Sequence, residues 1–137
     1  MTKLPASPPQ PGLRRTRQRA AISDLLGRID DFRTAQQIHD ILRDEGVSVG
    51  LTTVYRTLQA MADAGEVDAI RHDGETAFRR CHTADHHHHL VCRRCGHAVE
   101  IFAPVIEQWA EAIAREHGFR DADHELEIFG LCADCPT

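Results

Sequence analysis

The constraint that most limits how this chain can fold is a pair of Cys-x-x-Cys steps: Cys92-Arg93-Arg94-Cys95 and Cys132-Ala133-Asp134-Cys135. Two such pairs offer four thiolates, the tetrahedral ligand set of a structural zinc site, so the chain end must return to the first pair. The 36 residues between the pairs exceed what a small zinc ribbon needs, and they leave room for a helix and a strand. A redox dithiol and a disulfide pair are the alternatives. With 137 residues and 42% hydrophobic content, each half of the chain can build only a small core, and a structural metal is a common stabiliser of such a domain. Cys81 is the fifth cysteine, left over from the pairs.

Directly ahead of the first pair runs His86-His87-His88-His89. On a strand, alternate side chains point to opposite faces. His86 and His88 then face one way and His87 and His89 the other, so one run can feed two metal sites. The rival reading is a nonspecific surface histidine tract. Cys81 and Asp68 on one side, and Glu107 and His124 on the other, are the candidates to complete these sites. Spacing alone does not choose them.

The N-terminal half reads differently. Residues 1–12 hold four of the six prolines and read as a mobile tail. Thr16 suits an N-cap for a helix over about 17–29, with Ile22, Leu25, Leu26 and Ile29 at helical spacing. Thr34 caps a second helix over about 35–45, ended by Gly46. A short turn leads to a third over about 51–64, whose apolar face is Leu51, Val54, Leu58, Met61 and Ala62. Three helices with a short turn before the third predict a helix-turn-helix. On the opposite side of the third helix, Thr52, Tyr55, Arg56 and Gln59 share one stripe, and such side chains can hold phosphates or read base edges. An ordinary solvated face is the plain alternative. Two strand-like runs, 67–72 and 76–80, joined by Asp73-Gly74, predict a hairpin that serves as a wing. The remainder reads as strands over 86–92 and 97–102, a helix from Pro104 to about His117 with Val105, Ile106, Trp109, Ala110 and Ile113 inward, and a last strand over 124–129.

Net charge is −5, but unevenly spread: residues 1–60 carry 9 Lys/Arg against 6 Asp/Glu, and residues 61–137 carry 7 against 15. A basic half joined to an acidic half fits a nucleic-acid module joined to a metal-binding one. Nothing in the sequence has the length of a membrane span or the look of a signal peptide, so a cytoplasmic protein is expected. A zinc hydrolase would need an open coordination position and a general base, and no HExxH pattern exists, so no enzyme and no small-molecule substrate are expected. A zinc-storage protein would explain the histidines but not the winged helix.

On Gly12-Leu13-Arg14-Arg15-Thr16-Arg17-Gln18-Arg19, Thr53-Val54-Tyr55-Arg56-Thr57-Leu58, the His86–Cys95 run and the terminal Cys132-x-x-Cys135, the chain resembles the ferric uptake regulator family of bacterial metalloregulators. Within it the likeness is to zinc-sensing members of actinobacterial type. The resemblance implies an α+β chain: a winged helix-turn-helix DNA-binding domain (13–81), a hinge (82–85), and a small α/β dimerisation and metal-binding domain (86–137) with the four-cysteine zinc site. It implies a regulatory zinc site of Asp68, Cys81, His87 and His89 and an additional one of His86, His88, Glu107 and His124, giving two or three zinc ions per subunit. By analogy Tyr55 and Arg56 face operator DNA, Arg14 or Arg15 enters the minor groove, and the working species is a homodimer that represses zinc-uptake genes. Iron-sensing members usually carry a histidine near the second helix, where this chain has Phe32-Arg33, and tend to carry a carboxylate in place of Cys81. A thiolate in a mixed four-ligand set favours zinc. An iron- or other divalent-metal-responsive regulator is the alternative.

Overall fold

The computed structural model describes residues 11–80 and 86–136. Its order is α1 (Pro11–Arg28), β1 (Arg33–Thr34), α2 (Ala35–Asp44), α3 (Leu51–Asp63), β2 (Val67–His72), β3 (Glu75–Arg80), β4 (His88–Cys92), β5 (Ala98–Ile101), α4 (Pro104–Glu116) and β6 (Glu127–Gly130). This is the expected α+β winged helix-turn-helix followed by a small α/β unit.

In the first part, α1, α2 and α3 bury one apolar stripe each. Ile22, Leu25 and Leu26 of α1 meet Ile38 and Leu42 of α2, Val54, Leu58 and Met61 of α3, and Phe78 of β3 in one core. Thr34 caps α2 as expected: its hydroxyl accepts from the Gln37 N–H at 3.2 Å, and the Gln37 side chain accepts from the Thr34 N–H at 3.0 Å. This reciprocal pair satisfies two N–H groups the helix cannot. The sheet order is β1-β3-β2. Asp73 (φ 53°) and Gly74 (φ 81°) both take the left-handed conformation, as a two-residue hairpin turn requires.

Several boundaries differ from the sequence reading. α1 begins at Pro11, so Pro11 and Gly12 belong to a helix rather than a tail, and Thr16 lies inside it rather than capping it. Proline suits a first helical turn, whose N–H groups lack intrahelical partners in any case. Leu51 is exposed, because the first turn of α3 projects beyond the core. β1 is only two residues long, too short for any period to reveal it. The last strand starts at Glu127, so His124 and Leu126 stand ahead of it, and β4 starts at His88, leaving His86 and His87 just before it. The rest of the expected tail (1–10), Cys81 and the hinge 82–85 lie outside the described residues.

In the second sheet β4 is central, antiparallel to β5 and parallel to β6. The largest correction concerns α4. Its expected inward face is open: Val105 is 78% and Trp109 64% exposed, and no α4 residue is buried. Periodicity identifies the apolar face of a helix but not what covers it. Leu90, Val99 and Ile128, register neighbours across the second sheet, are exposed as well.

The two sheets meet through a second core of Phe32, Ile70, Val91 and Ala98, flanked by Ala77 and Phe129. His72 stacks on Phe129 with centroids 4.3 Å apart. Arg79, 7% exposed, reaches Glu100 of β5 at 3.1 Å and donates to the Asp30 carbonyl at 2.5 Å.

Candidate metal centres and the helix facing outward

Cys92 ends β4, Cys95 lies in the turn that follows, and Cys132 and Cys135 sit in the turn after β6. The parallel pairing of β4 with β6 sets Cys92 opposite Gly130, and the Arg93 N–H donates to the Gly130 carbonyl at 2.8 Å, so both turns arrive together. The four Sγ atoms lie within 4.8 Å of one another. Cys92 Sγ is 3.8 Å from Cys135 Sγ, and Cys95 Sγ is 3.7 Å from Cys132 Sγ. A disulfide needs about 2.05 Å, whereas four sulfurs around tetrahedral zinc at about 2.3 Å stand about 3.8 Å apart. The electrostatics agree. Backbone N–H groups of Cys95 and Cys132 pull the Cys92 thiol down to about 5. Cys135, sharing a hydrogen bond with Cys132 and partly desolvated, is pushed up to about 12. One thiolate is supported by the backbone; four together require a cation.

The histidine run divides as its alternation predicts. His86, His88, Glu107 and His124 form one group. Glu107 is its centre, with one oxygen 2.6 Å from His88 Nε2 and the other 3.1 Å from His86 Nε2 and 3.0 Å from His124 Nε2. It stands in the first turn of α4, where the helix end favours negative charge. Desolvation works against its ionised form, but hydrogen bonds from His88 and His124 prevail and hold the carboxyl below its ordinary value.

Asp68, His87 and His89 form the other group. Asp68 Oδ2 is 2.8 Å from Nε2 of both histidines. Asp68 belongs to β2, in the wing, whereas His89 lies on β4 and His87 just ahead of it, so this cluster straddles the wing and the second sheet. Burial opposes a charged His89, yet the hydrogen bonds its ring donates to Asp68 and Glu127 outweigh that and raise His89 to about 9. Cys81, expected as the fourth donor, lies outside the described residues.

The donor sets suit zinc: four sulfurs in one group, three imidazoles and a carboxylate in another, and two imidazoles and a carboxylate in the third.

On α3, Thr52, Tyr55 and Arg56 are exposed and Gln59 is half-buried, so the stripe is presented outward. Tyr55 is steadied edge-on against Phe78, with centroids 6.4 Å apart. Arg15 on α1 is exposed, while the side chain of Arg14 lies outside the described residues.

The model of the ferric uptake regulator family matches residues 10–129. The chain belongs to the ferric uptake regulator family. Among its relatives is the zinc uptake regulation protein of Mycobacterium tuberculosis, 57% identical over 126 residues, which span 90% of this chain and 95% of that protein. The crystal structure of FurB from M. tuberculosis, a zinc uptake regulator, is similar at a TM-score of 0.56 with 56% identity, covering 92% of this chain and 98% of that one. A zinc uptake regulator complexed with zinc and DNA is similar at a TM-score of 0.71 with 28% identity, covering 86% and 80%.

In this member of the family, sequence reasoning missed three residues at the clusters and the seam between the sheets. Glu127 contacts His89 at 3.0 Å, Phe32 packs edge-on to His89 with centroids 5.0 Å apart, and Arg79 joins the sheets. Glu127 sits in an acidic stretch with nothing in its spacing to single it out.

Proposed function

We propose that this protein is a zinc-responsive transcriptional repressor, acting in the cytoplasm as a homodimer on operator DNA and silencing zinc-uptake genes. The observation that carries this reading is the placement of Asp68, His87 and His89: a donor group split between the wing and the second sheet. The name of the M. tuberculosis relative supports zinc as the sensed metal.

Cys92, Cys95, Cys132 and Cys135 would hold a structural zinc; Asp68, His87, His89 and Cys81 a regulatory one; and His86, His88, Glu107 and His124 an additional one, for two or three ions per subunit. The zinc supplies a compact divalent charge with a preference for four ligands. Asp68 and the two histidines are then drawn to one point, and the wing is tied to the second sheet. That fixes the distance between the two outward-facing α3 helices of a dimer, which must match successive major grooves. Metal affinity and DNA affinity are therefore linked reciprocally. When zinc is scarce, the tie across 82–85 loosens and the operator is released.

Dimerisation is supported by the open apolar face of the second half. Nine of the eleven exposed large hydrophobics among the described residues lie between Leu90 and Leu131, including Trp109 and Val105. So much uncovered apolar surface marks an interaction site. Thr52, Tyr55, Arg56 and Gln59, with Arg14 or Arg15, would contact the operator.

The two histidine groups carry nitrogen and oxygen donors that also suit iron and other divalent metals, so the metal decides between two readings. The test is binding of the purified protein to fragmented genomic DNA from its source at buffered free Zn(II) and, separately, Fe(II). Zinc-dependent enrichment beside metal-transporter genes is expected. Enrichment with Fe(II) alone would move the protein to the iron-responsive reading.

A further inference from the structure

His88 and His89 are neighbours on β4 yet belong to different donor groups, and both turn Nε2 toward their group. His88 Nε2 is 2.6 Å from Glu107, and His89 Nε2 is 2.8 Å from Asp68. An imidazole has two nitrogens, and the one that becomes the ligand is decided by what holds the other. For His88 the holder is a backbone carbonyl, Leu126 O, 3.2 Å from Nδ1. For His89 it is a carboxylate: Glu127 Oε2 is 3.0 Å from Nδ1 and accepts the His89 backbone N–H at 3.0 Å.

Glu127 does not reach this position from a loose loop. It is the register partner of His89 across the parallel β4–β6 pair, so the sheet itself sets the carboxylate beside the ring. The contact is partly buried, with side-chain exposures of 4% for His89 and 24% for Glu127. The donor group comprises Asp68, His87 and His89, and Glu127 stands behind it.

We infer that Glu127 is a positioning residue for the zinc site that joins the wing to the second sheet, holding His89 in the Nδ1–H form so that Nε2 is the ligand atom. The inference rests on reading the Asp68–His87–His89 group as a zinc site. A carboxylate behind a ligating imidazole fixes its tautomer and ring orientation and strengthens it as a donor, and loss of such a partner lowers metal affinity about 10–100-fold. Glu127 can do this for one of the two histidine groups only, because His88 has a neutral carbonyl in the same role. The two sites thus differ in donor strength through two consecutive residues, Leu126 and Glu127.

The test uses the full chain with the zinc of its four-cysteine site retained. Zn(II) is titrated against a chromophoric chelator, and Co(II) is followed by visible absorbance, in wild type, Glu127→Gln, Glu127→Ala and His87→Ala. His87→Ala identifies the site by abolishing it. Glu127→Gln keeps an acceptor for the backbone N–H but removes the charge. It is expected to weaken that site about 10-fold, and Glu127→Ala by up to about 100-fold. The Co(II) band of that site should shift, while the melting temperature of the Glu127→Gln chain carrying only the thiolate-bound zinc stays at the wild-type value. Wild-type affinity in both Glu127 variants overturns the inference, as does a lowered melting temperature with affinity intact, which would mean Glu127 serves only the sheet. If His87→Ala takes up as many ions as wild type, the zinc reading of this group fails and the inference falls with it.

Discussion

The backbone N–H of Phe32 donates to the carbonyl of Gly96 across 2.9 Å, joining the loop before the first sheet to the turn that carries Cys95. Gly96 has φ 82°, and a methyl group on its α-carbon would collide with the Phe32 carbonyl oxygen. Gly96→Ala is therefore strained in its own backbone and forced off its neighbour. We expect it to lower stability by about 2 kcal/mol in chemical denaturation, and to weaken zinc-dependent DNA binding because the two sheets no longer seat against each other.

Glu100 and Arg79 form an ion pair at 3.1 Å with side-chain exposures of 16% and 7%. Removing one partner of such a pair strands a buried charge, at a cost of about 3 kcal/mol. Glu100→Ala should show that loss by equilibrium unfolding. Replacing both by apolar residues, Arg79→Met with Glu100→Leu, should recover part of it, since the desolvation penalty disappears with the charges while the Asp30 carbonyl loses its Arg79 donor.

The two kinds of cysteine should separate experimentally. Cys81→Ser is expected to keep the fold and the dimer but to lose zinc-dependent DNA binding, seen by fluorescence anisotropy at buffered zinc. Unchanged zinc dependence would remove the model of a tie across the hinge. Cys92→Ser should cost one tightly held zinc and disrupt folding or dimerisation, because metal binding at a structural site is worth on the order of 10 kcal/mol of folding free energy. Metal analysis alongside circular dichroism checks both.

On α3, Arg56→Ala and Tyr55→Ala should weaken operator binding without changing zinc uptake. If Arg56 meets a phosphate, the salt dependence of log K falls by about one counterion. If it reads a base edge, the loss is about 1–3 kcal/mol and confined to the cognate sequence. Affinity measured across a salt series, on cognate and scrambled duplexes, distinguishes them.

Trp109 is 64% exposed in the single chain. Trp109→Glu should leave the unfolding free energy of an isolated subunit within about 0.5 kcal/mol. It should nevertheless shift sedimentation from dimer to monomer. A variant that remains dimeric would place the partner on another face.

Features set by short-range chemistry are legible in the sequence. The Asp73-Gly74 hairpin and the Thr34 cap each depend on a few residues and one local rule, and the return of the second cysteine pair to the first follows from the four ligands that zinc takes. The division of the histidines follows from strand alternation. At Thr16 a hydroxyl ahead of an apolar run looks like a cap whether or not the helix starts earlier. The exposure of the α4 face is not legible, because a period reports that a face is apolar, not which surface meets it. Glu127, Phe32 and Arg79 act across the seam between two sheets, and that relation exists only once both have folded.

Four identical side chains in a row carry a hidden ambiguity. A strand displaced by one residue exchanges its two faces, but a strand displaced by two still offers histidines to both. Composition alone does not say which imidazole belongs to which donor group. Cys92, last residue of the same strand and one corner of the sulfur cluster, removes that freedom: it can occupy its corner in one alignment only. The sulfur cluster is thus the origin from which the histidines are counted: the corner that Cys92 occupies decides which imidazoles turn to Glu107 and which to Asp68.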